Sequence, residues 1–206
     1  MQLTVFYDFL CPFAWRATRW LNQVVVQRPS VSITWRYFSL EQVNAPADSQ
    51  WVLWEQADDY APLRDGWSSY RGLHAFWAAE AVRRQGSEIT NRFRTAVFDA
   101  RHAHKQDITN RATLATIAAE CGVAMDQFTR DVHDRSLLET LKIDHEYAKK
   151  TYDCFGVPTL CYDDKNAVYV KLSEIVAESE VLPLFDEISH TFVQRPYVVE
   201  LKRPNP

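Results

Sequence analysis

The order of periodicities along the chain predicts an α/β fold in which one sheet is assembled from both ends of the sequence. Three observations carry that expectation. Residues Leu3–Tyr7 and Ser30–Phe38 are rich in β-branched and aromatic side chains and bracket a helical stretch. Residues 73–152 then hold helical spacing almost throughout, and residues 159–192 return to two short strands and a closing helix.

The first strand, Leu3–Tyr7, ends where Asp8–Pro12 turns the chain. From Phe13 an apolar stripe of Ala17, Trp20, Leu21, Val24 and Val25 marks a helix that stops near Arg28-Pro29. Pro12 suits its first turn, because the N–H that proline lacks would have no partner there. Ser30–Phe38 alternates as a second strand, so strand, helix and strand form a βαβ unit with parallel strands and a right-handed crossover. A long irregular stretch follows, carrying Trp51, Trp54, Tyr60 and Trp67. That is too much aromatic surface for a free linker, and it is expected to pack over the fold and line a cleft or a subunit contact.

The helical block opens with Leu73–Gln85, which Gly86 stops, and continues with Ile89–Ala103, which places Phe93, Val97 and Ala100 on one side. Asn110 caps Ala112–Cys121, ended by Gly122; Asp126 is the expected cap of the next helix, with Phe128 and Val132 inward. A helix near Leu137–Tyr152 carries Leu141, His145 and Ala148 at helical spacing. Thr159–Tyr162 then reads as a strand, DDKN as a hairpin turn and AVYVKL as its partner strand. Glu180–Phe192, with Val181, Leu184, Phe185 and Ile188 on one face, closes the chain as a helix.

At 206 residues, 47% apolar and 13% aromatic, the chain can bury one substantial core. A net charge of −4 gives no general attraction to nucleic acid or to an acidic bilayer, and neither is expected as a partner. No stretch approaches the roughly 20 apolar residues of a membrane span, and MQLTVFYDF reads as a strand rather than a leader, so the expected location is cytoplasmic. Cys11, Cys121, Cys154 and Cys161 make no close metal-type pair, and His102 and His104, two apart, do not share a helix face. No metal site is expected.

Chemistry gathers at Cys11, in DFLCPFAW at a strand-to-helix junction. The unpaired N–H groups of a first helical turn point toward such a sulfur, and with the helix dipole they favour thiolate over thiol. Against this stands a buried cysteine serving as a small hydrophobe; the local sequence leaves both open. Asp8, three residues earlier, reads either as a buried proton carrier or as the residue fixing the turn. Arg16 and Arg19 read as a solvated face or as contacts for an acidic ligand group, and His74 and Trp77 are weaker cleft candidates. Cys154, Cys161 and Cys121 read as structural.

YDFLCPFAW after the first strand, the helical insertion and FGVPT before the third strand together resemble the DsbA-like branch of the thioredoxin superfamily. That branch holds bacterial disulfide oxidases, FrnE-like proteins, and kappa-type glutathione transferases with 2-hydroxychromene-2-carboxylate isomerase. The resemblance implies a thioredoxin-like fold divided into residues 1–64, a helical insertion at 65–152, and a second thioredoxin-like part at 153–206. It implies a cis peptide at Val157-Pro158 facing Cys11, with the Val157 backbone free to pair with an extended peptide or with glutathione. Cys11 is then the catalytic candidate, and Pro12, Phe13, Trp15, Val157 and Pro158 the binding candidates.

The sequence departs from that pattern at Ala14, where redox members carry a second cysteine that resolves mixed disulfides. Dithiol oxidation by a local pair is excluded. Three readings remain: thiol–disulfide exchange through Cys11 alone, a glutathione-dependent transferase or isomerase in which Cys11 or its helix supports the cofactor's thiolate, and a redox-inactive protein that keeps the docking edge. In the transferase and isomerase members a serine commonly stands where this chain has Cys11. No tightly bound cofactor is expected; glutathione, or a protein or peptide thiol, is the expected partner, with a homodimer as a further expectation.

Overall fold

The computed structural model describes residues 1–46, 50–63, 71–163 and 166–203. The expectations for Trp67, the tip of the DDKN turn and the division at residue 64 fall outside them.

The N-terminal strand β1 (Gln2–Tyr7) leads into helix α1 (Pro12–Gln27), and strand β2 (Ser32–Tyr37) returns beside β1. The β1–β2 pairing is parallel, with Val5 opposite Trp35. Strand β3 (Thr159–Cys161) joins the other side of β1 antiparallel, placing Leu160 opposite Val5, and β4 (Ala167–Tyr169) pairs antiparallel with β3. The spatial order is therefore β2-β1-β3-β4. The strand at the sequence's beginning lies in the sheet interior, and pieces from both chain ends clamp it.

Alternation along β1 splits the core between the two faces of the sheet. Leu3 and Val5, both fully buried, pack with Trp20, Leu21 and Val24 of α1 and with Phe185 of the closing helix α8 (Val181–Gln194). Each such side chain taken from water contributes about 1.5–3 kcal/mol. Phe6 points the other way, toward Tyr147 and Tyr152. Both tyrosines lie on α7 (Leu138–Tyr152), the last helix of the block.

The earlier helices of the block are α3 (Leu73–Arg83), α4 (Ser87–His102), α5 (Arg111–Glu120) and α6 (Met125–Asp131). Before them, after β2, comes the short helix α2 (Leu40–Val43), capped by Ser39. Asn110 caps α5 as its side chain suggests, accepting the Ala112 N–H at 2.8 Å. Asp126 does not cap α6: Ala124 stands at the cap and Asp126 lies inside the first turn, where a carboxylate meets the positive end of the helix dipole. The aromatic stretch after α2 packs on the fold as expected, with Trp51 and Trp54 half-buried against the core and Tyr60 buried. Among the described residues no helix is long and apolar enough to cross a membrane.

Candidate functional site

The turn from β1 into α1 is built by Asp8. Its carboxylate accepts the Leu10 N–H at 2.8 Å and, from across the β2 end, the Leu40 N–H at 2.6 Å. The Cys11 N–H closes the turn on the Asp8 carbonyl. Asp8 is fully buried, and burial pushes its carboxyl up to about 6 against the pull of the two amides. Of its two sequence readings, turn construction is the one its contacts describe.

Cys11 stands at the N-cap of α1 with extended backbone, and its carbonyl accepts the first helical bond from Trp15. Its side chain crosses to the other end of the chain. The Cys11 Sγ–H donates to the Val157 carbonyl at 3.1 Å, beside the cis Val157–Pro158 peptide. The helix amides behave as the sequence suggests, since those of Ala14 and Phe13 favour the thiolate, as does Lys171. Burial is the larger effect. With Cys11 only 4% exposed and Asp8 nearby, the thiol is pushed up to about 11, so of the two readings the buried cysteine describes the resting state, as a protonated hydrogen-bond donor.

That donor lies on the wall of a cavity of about 450 Å³, within the usual size of a small-molecule site. Cys11, Pro12, Phe13 and Val157 line it together, four of the residues singled out in the sequence. The stretch after α2 adds Pro62 and Leu63. Trp15 is not on its wall. One helical turn beyond Cys11 it faces α4 instead, donating its indole N–H to Asp99 at 2.7 Å and stacking on His102. His102, bonded to the Phe9 carbonyl, is pushed down to about 4 by burial and stays neutral there.

Neither of the arginines meets the cavity: Arg19 pairs with the same Asp99, and Arg16 donates to the Leu172 carbonyl. His74 bonds the Thr109 carbonyl and Trp77 the Asp134 carbonyl, both within the helical block. Ala14, at the place of a second thiol, is 1% exposed, and no other cysteine lines the cavity among the described residues. Cys154 and Cys161 are buried in the core, and burial raises both thiols.

Lys171, Phe155, Tyr169 and Glu41 also line the cavity, and none of them is a candidate in the sequence. Lys171 sits with Nζ 4.7 Å from the Phe13 ring centre, an exposed cation at the rim. Phe155 is 69% exposed yet meets Tyr169 edge-on, with centroids 5.1 Å apart. Glu41, from α2, brings a carboxylate to the wall, where burial pushes it up to about 7. An acidic residue two positions after a Ser cap suggests only a helix start.

Comparison with known proteins bears on the fold. An uncharacterized protein of Mycobacterium tuberculosis is 26% identical over 198 residues, covering 96% of this chain and 80% of the relative. Among solved structures, a 2-hydroxychromene-2-carboxylate isomerase superimposes with a TM-score of 0.63 at 15% identity, over 97% of this chain and all (100%) of that one. The cytosolic disulfide reductase DsbM from Pseudomonas aeruginosa, with GSH, gives 0.62 at 16% identity over 91% and 98% of the two chains. Oxidoreductase DsbA from Xylella fastidiosa gives 0.55 at 17%, over 96% and 87%. At these identities the structures speak for the fold. The DSBA-like thioredoxin domain model matches residues 2–172, and the chain belongs to that family.

Proposed function

We propose that the protein catalyses thiol–disulfide exchange through Cys11 as a single sulfur, with a low-molecular-weight thiol of the glutathione type supplying the second. One observation carries this reading: Cys11 opens onto a cavity beside the Val157 turn, while buried Ala14 occupies the neighbouring position. A mixed disulfide formed at Cys11 has no adjacent protein thiol to resolve it, so the resolving sulfur comes from solution. The cavity suits the cysteinyl part of a small thiol, and the Val157 backbone offers main-chain hydrogen bonding that needs no particular side chain. The structural likeness to a disulfide reductase described with GSH is consistent with that choice.

The protonated state of Cys11 favours one alternative, in which its S–H donates to the thiolate of a bound glutathione during transfer or isomerisation. A serine does the same service, so the two readings part at Cys11→Ser. The test is steady-state reduction of a small mixed disulfide with glutathione as reductant, coupled to glutathione reductase. Exchange through Cys11 predicts turnover in the wild type, in C121S and in C154S, and none above background in C11S. Activity in C11S within about tenfold of wild type supports the alternative; a wild type no faster than buffer rejects exchange through Cys11, and failure to bind glutathione at millimolar concentration rejects the alternative.

A further inference from the structure

We propose that Glu41 is the proton acceptor for the Cys11 thiol, drawing its proton through the water of the cavity both residues line as the sulfur attacks a disulfide. The inference rests on the single-sulfur reading above and adds what that reading lacks, a place for the proton.

The need follows from Cys11 itself. Its sulfur rests as a thiol that donates to Val157, and a thiol is a poor nucleophile until its proton leaves. Glu41 is the one carboxylate on the cavity wall among the described residues. It is held there from two sides. The Tyr60 hydroxyl donates to both carboxylate oxygens, at 2.8 and 3.0 Å, and the Gly72 N–H donates to Oε2. The glycine leaves this contact uncrowded, since a Cβ at residue 72 would stand 3.2 Å from Oε2 and 3.3 Å from the Phe76 ring. Glu41 is only 8% exposed, so its carboxyl is largely desolvated while the residue still meets the cavity.

The charged and titratable neighbours fit this assignment. Asp8 at the end of β1 and Tyr60 lie on one side of Glu41, and Arg71 ahead of α3 is the nearby cation; around Cys11 stand Asp8, Lys171 and Tyr169. Burial raises the Glu41 carboxyl to about 7, against the opposing pull of Gly72, Tyr60 and Arg71, and such an acceptor is poised for proton transfer near neutral pH. In the step itself the Cys11 S–H proton passes to the Glu41 carboxylate while the sulfur bonds to one sulfur of a disulfide. The disulfide bond breaks, its other sulfur leaves as a thiolate, and that thiolate takes the proton from Glu41. Cys11 is oxidised to a mixed disulfide, the attacked disulfide is reduced, and Glu41 ends as it began.

The test is the rate at which glutathione disulfide adds to Cys11, followed by intact mass between pH 5.5 and 9.5. In the wild type the rate should climb through a limb near pH 7 and flatten above it. E41Q keeps an acceptor for Gly72 but cannot take a proton. It should be slower by about 100-fold at pH 8 and rise with unit slope across the range, as hydroxide alone would drive it. Tyr60→Phe removes a donor that holds the carboxyl down, so its limb should move to higher pH. An E41Q profile superimposable on the wild type, or a Y60F limb that stays in place, overturns the proposal and leaves the single-sulfur reading intact. Failure of wild-type Cys11 to form the adduct overturns both.

Discussion

Cys11 meets the Val157–Pro158 turn, which Cys154 precedes and Cys161 follows along the chain, and the three thiols use burial differently. All three thiols are buried and all are raised by it, Cys11 and Cys154 to about 11 and Cys161 further. What surrounds them separates them. Cys11 has helix amides and Lys171 working against burial, a carbonyl to receive its proton donation, and open space on one side. Cys161 sits in β3 between Thr4 and Ala167, and the charges that reach it, from Cys154 and Asp163, push in the same direction as burial. Depth alone therefore says little about a thiol; the groups opposing it and the access to it decide what it can do.

The sharpest way to break this contrast is to exchange the sulfurs for oxygens. Cys11→Ser should abolish adduct formation with glutathione disulfide, whereas C154S and C161S should leave the rate at Cys11 within about twofold. Their cost should fall on stability instead, at roughly 1 kcal/mol each in urea denaturation, because burying the more polar hydroxyl costs more than burying a thiol, and the cost should be smaller at residue 154, where Thr159 offers a hydrogen-bond partner.

A second expectation concerns the acids beneath Cys11. Asp8 and Glu41 bind protons more tightly folded than unfolded, so the unfolded chain releases its protons first as pH rises. Their contribution is fully present below pH 4 and is lost as pH climbs through about 6 and 7. For Glu41 the loss is on the order of 3 kcal/mol. Denaturation of wild type and E41Q at pH 4, 6 and 8 should show the wild type falling and the variant falling by about that much less. Parallel slopes would mean Glu41 is solvated in the native state.

Restoring the missing thiol is a gain-of-function check. Ala14→Cys places two thiols at the i and i+3 positions of a helix start, and reduction of insulin by dithiothreitol should speed at least about tenfold over the wild type. An unchanged rate would mean that the α1 opening cannot present two sulfurs. The smallest effect is at the rim. Lys171→Gln removes an exposed cation that favours the thiolate, so Cys11 modification should slow about threefold in low salt, with little difference at 1 M salt.

Much of the scaffold was legible because it is local. Pro12 at the start of α1, the apolar stripe from Ala17 to Val24, and the alternation in both strands of the βαβ unit report backbone geometry within a few residues. The meeting of Cys11 with Val157 was legible only through the resemblance, since 146 residues separate them. Trp15 is next to the motif in sequence and reads either as a cleft wall or as packed under the insertion; its partners Asp99 and His102 come from α4, at least 84 residues along the chain, and hold it off the cavity wall. The two readings of Cys11 stay open in the sequence for a related reason. Helix amides are a property of the local chain, whereas desolvation is the work of residues brought from elsewhere, and here it outweighs them. Glu41 was invisible for the same cause, its donors Tyr60 and Gly72 standing 19 and 31 residues away.

Peptide mapping after equilibration with glutathione disulfide tests the account most directly. It predicts a single glutathionyl group on the peptide that holds Cys11, removed by excess glutathione, with Cys121, Cys154 and Cys161 unmodified in the native protein. A native protein whose Cys11 stays free while Cys121 or no cysteine takes the group would contradict it.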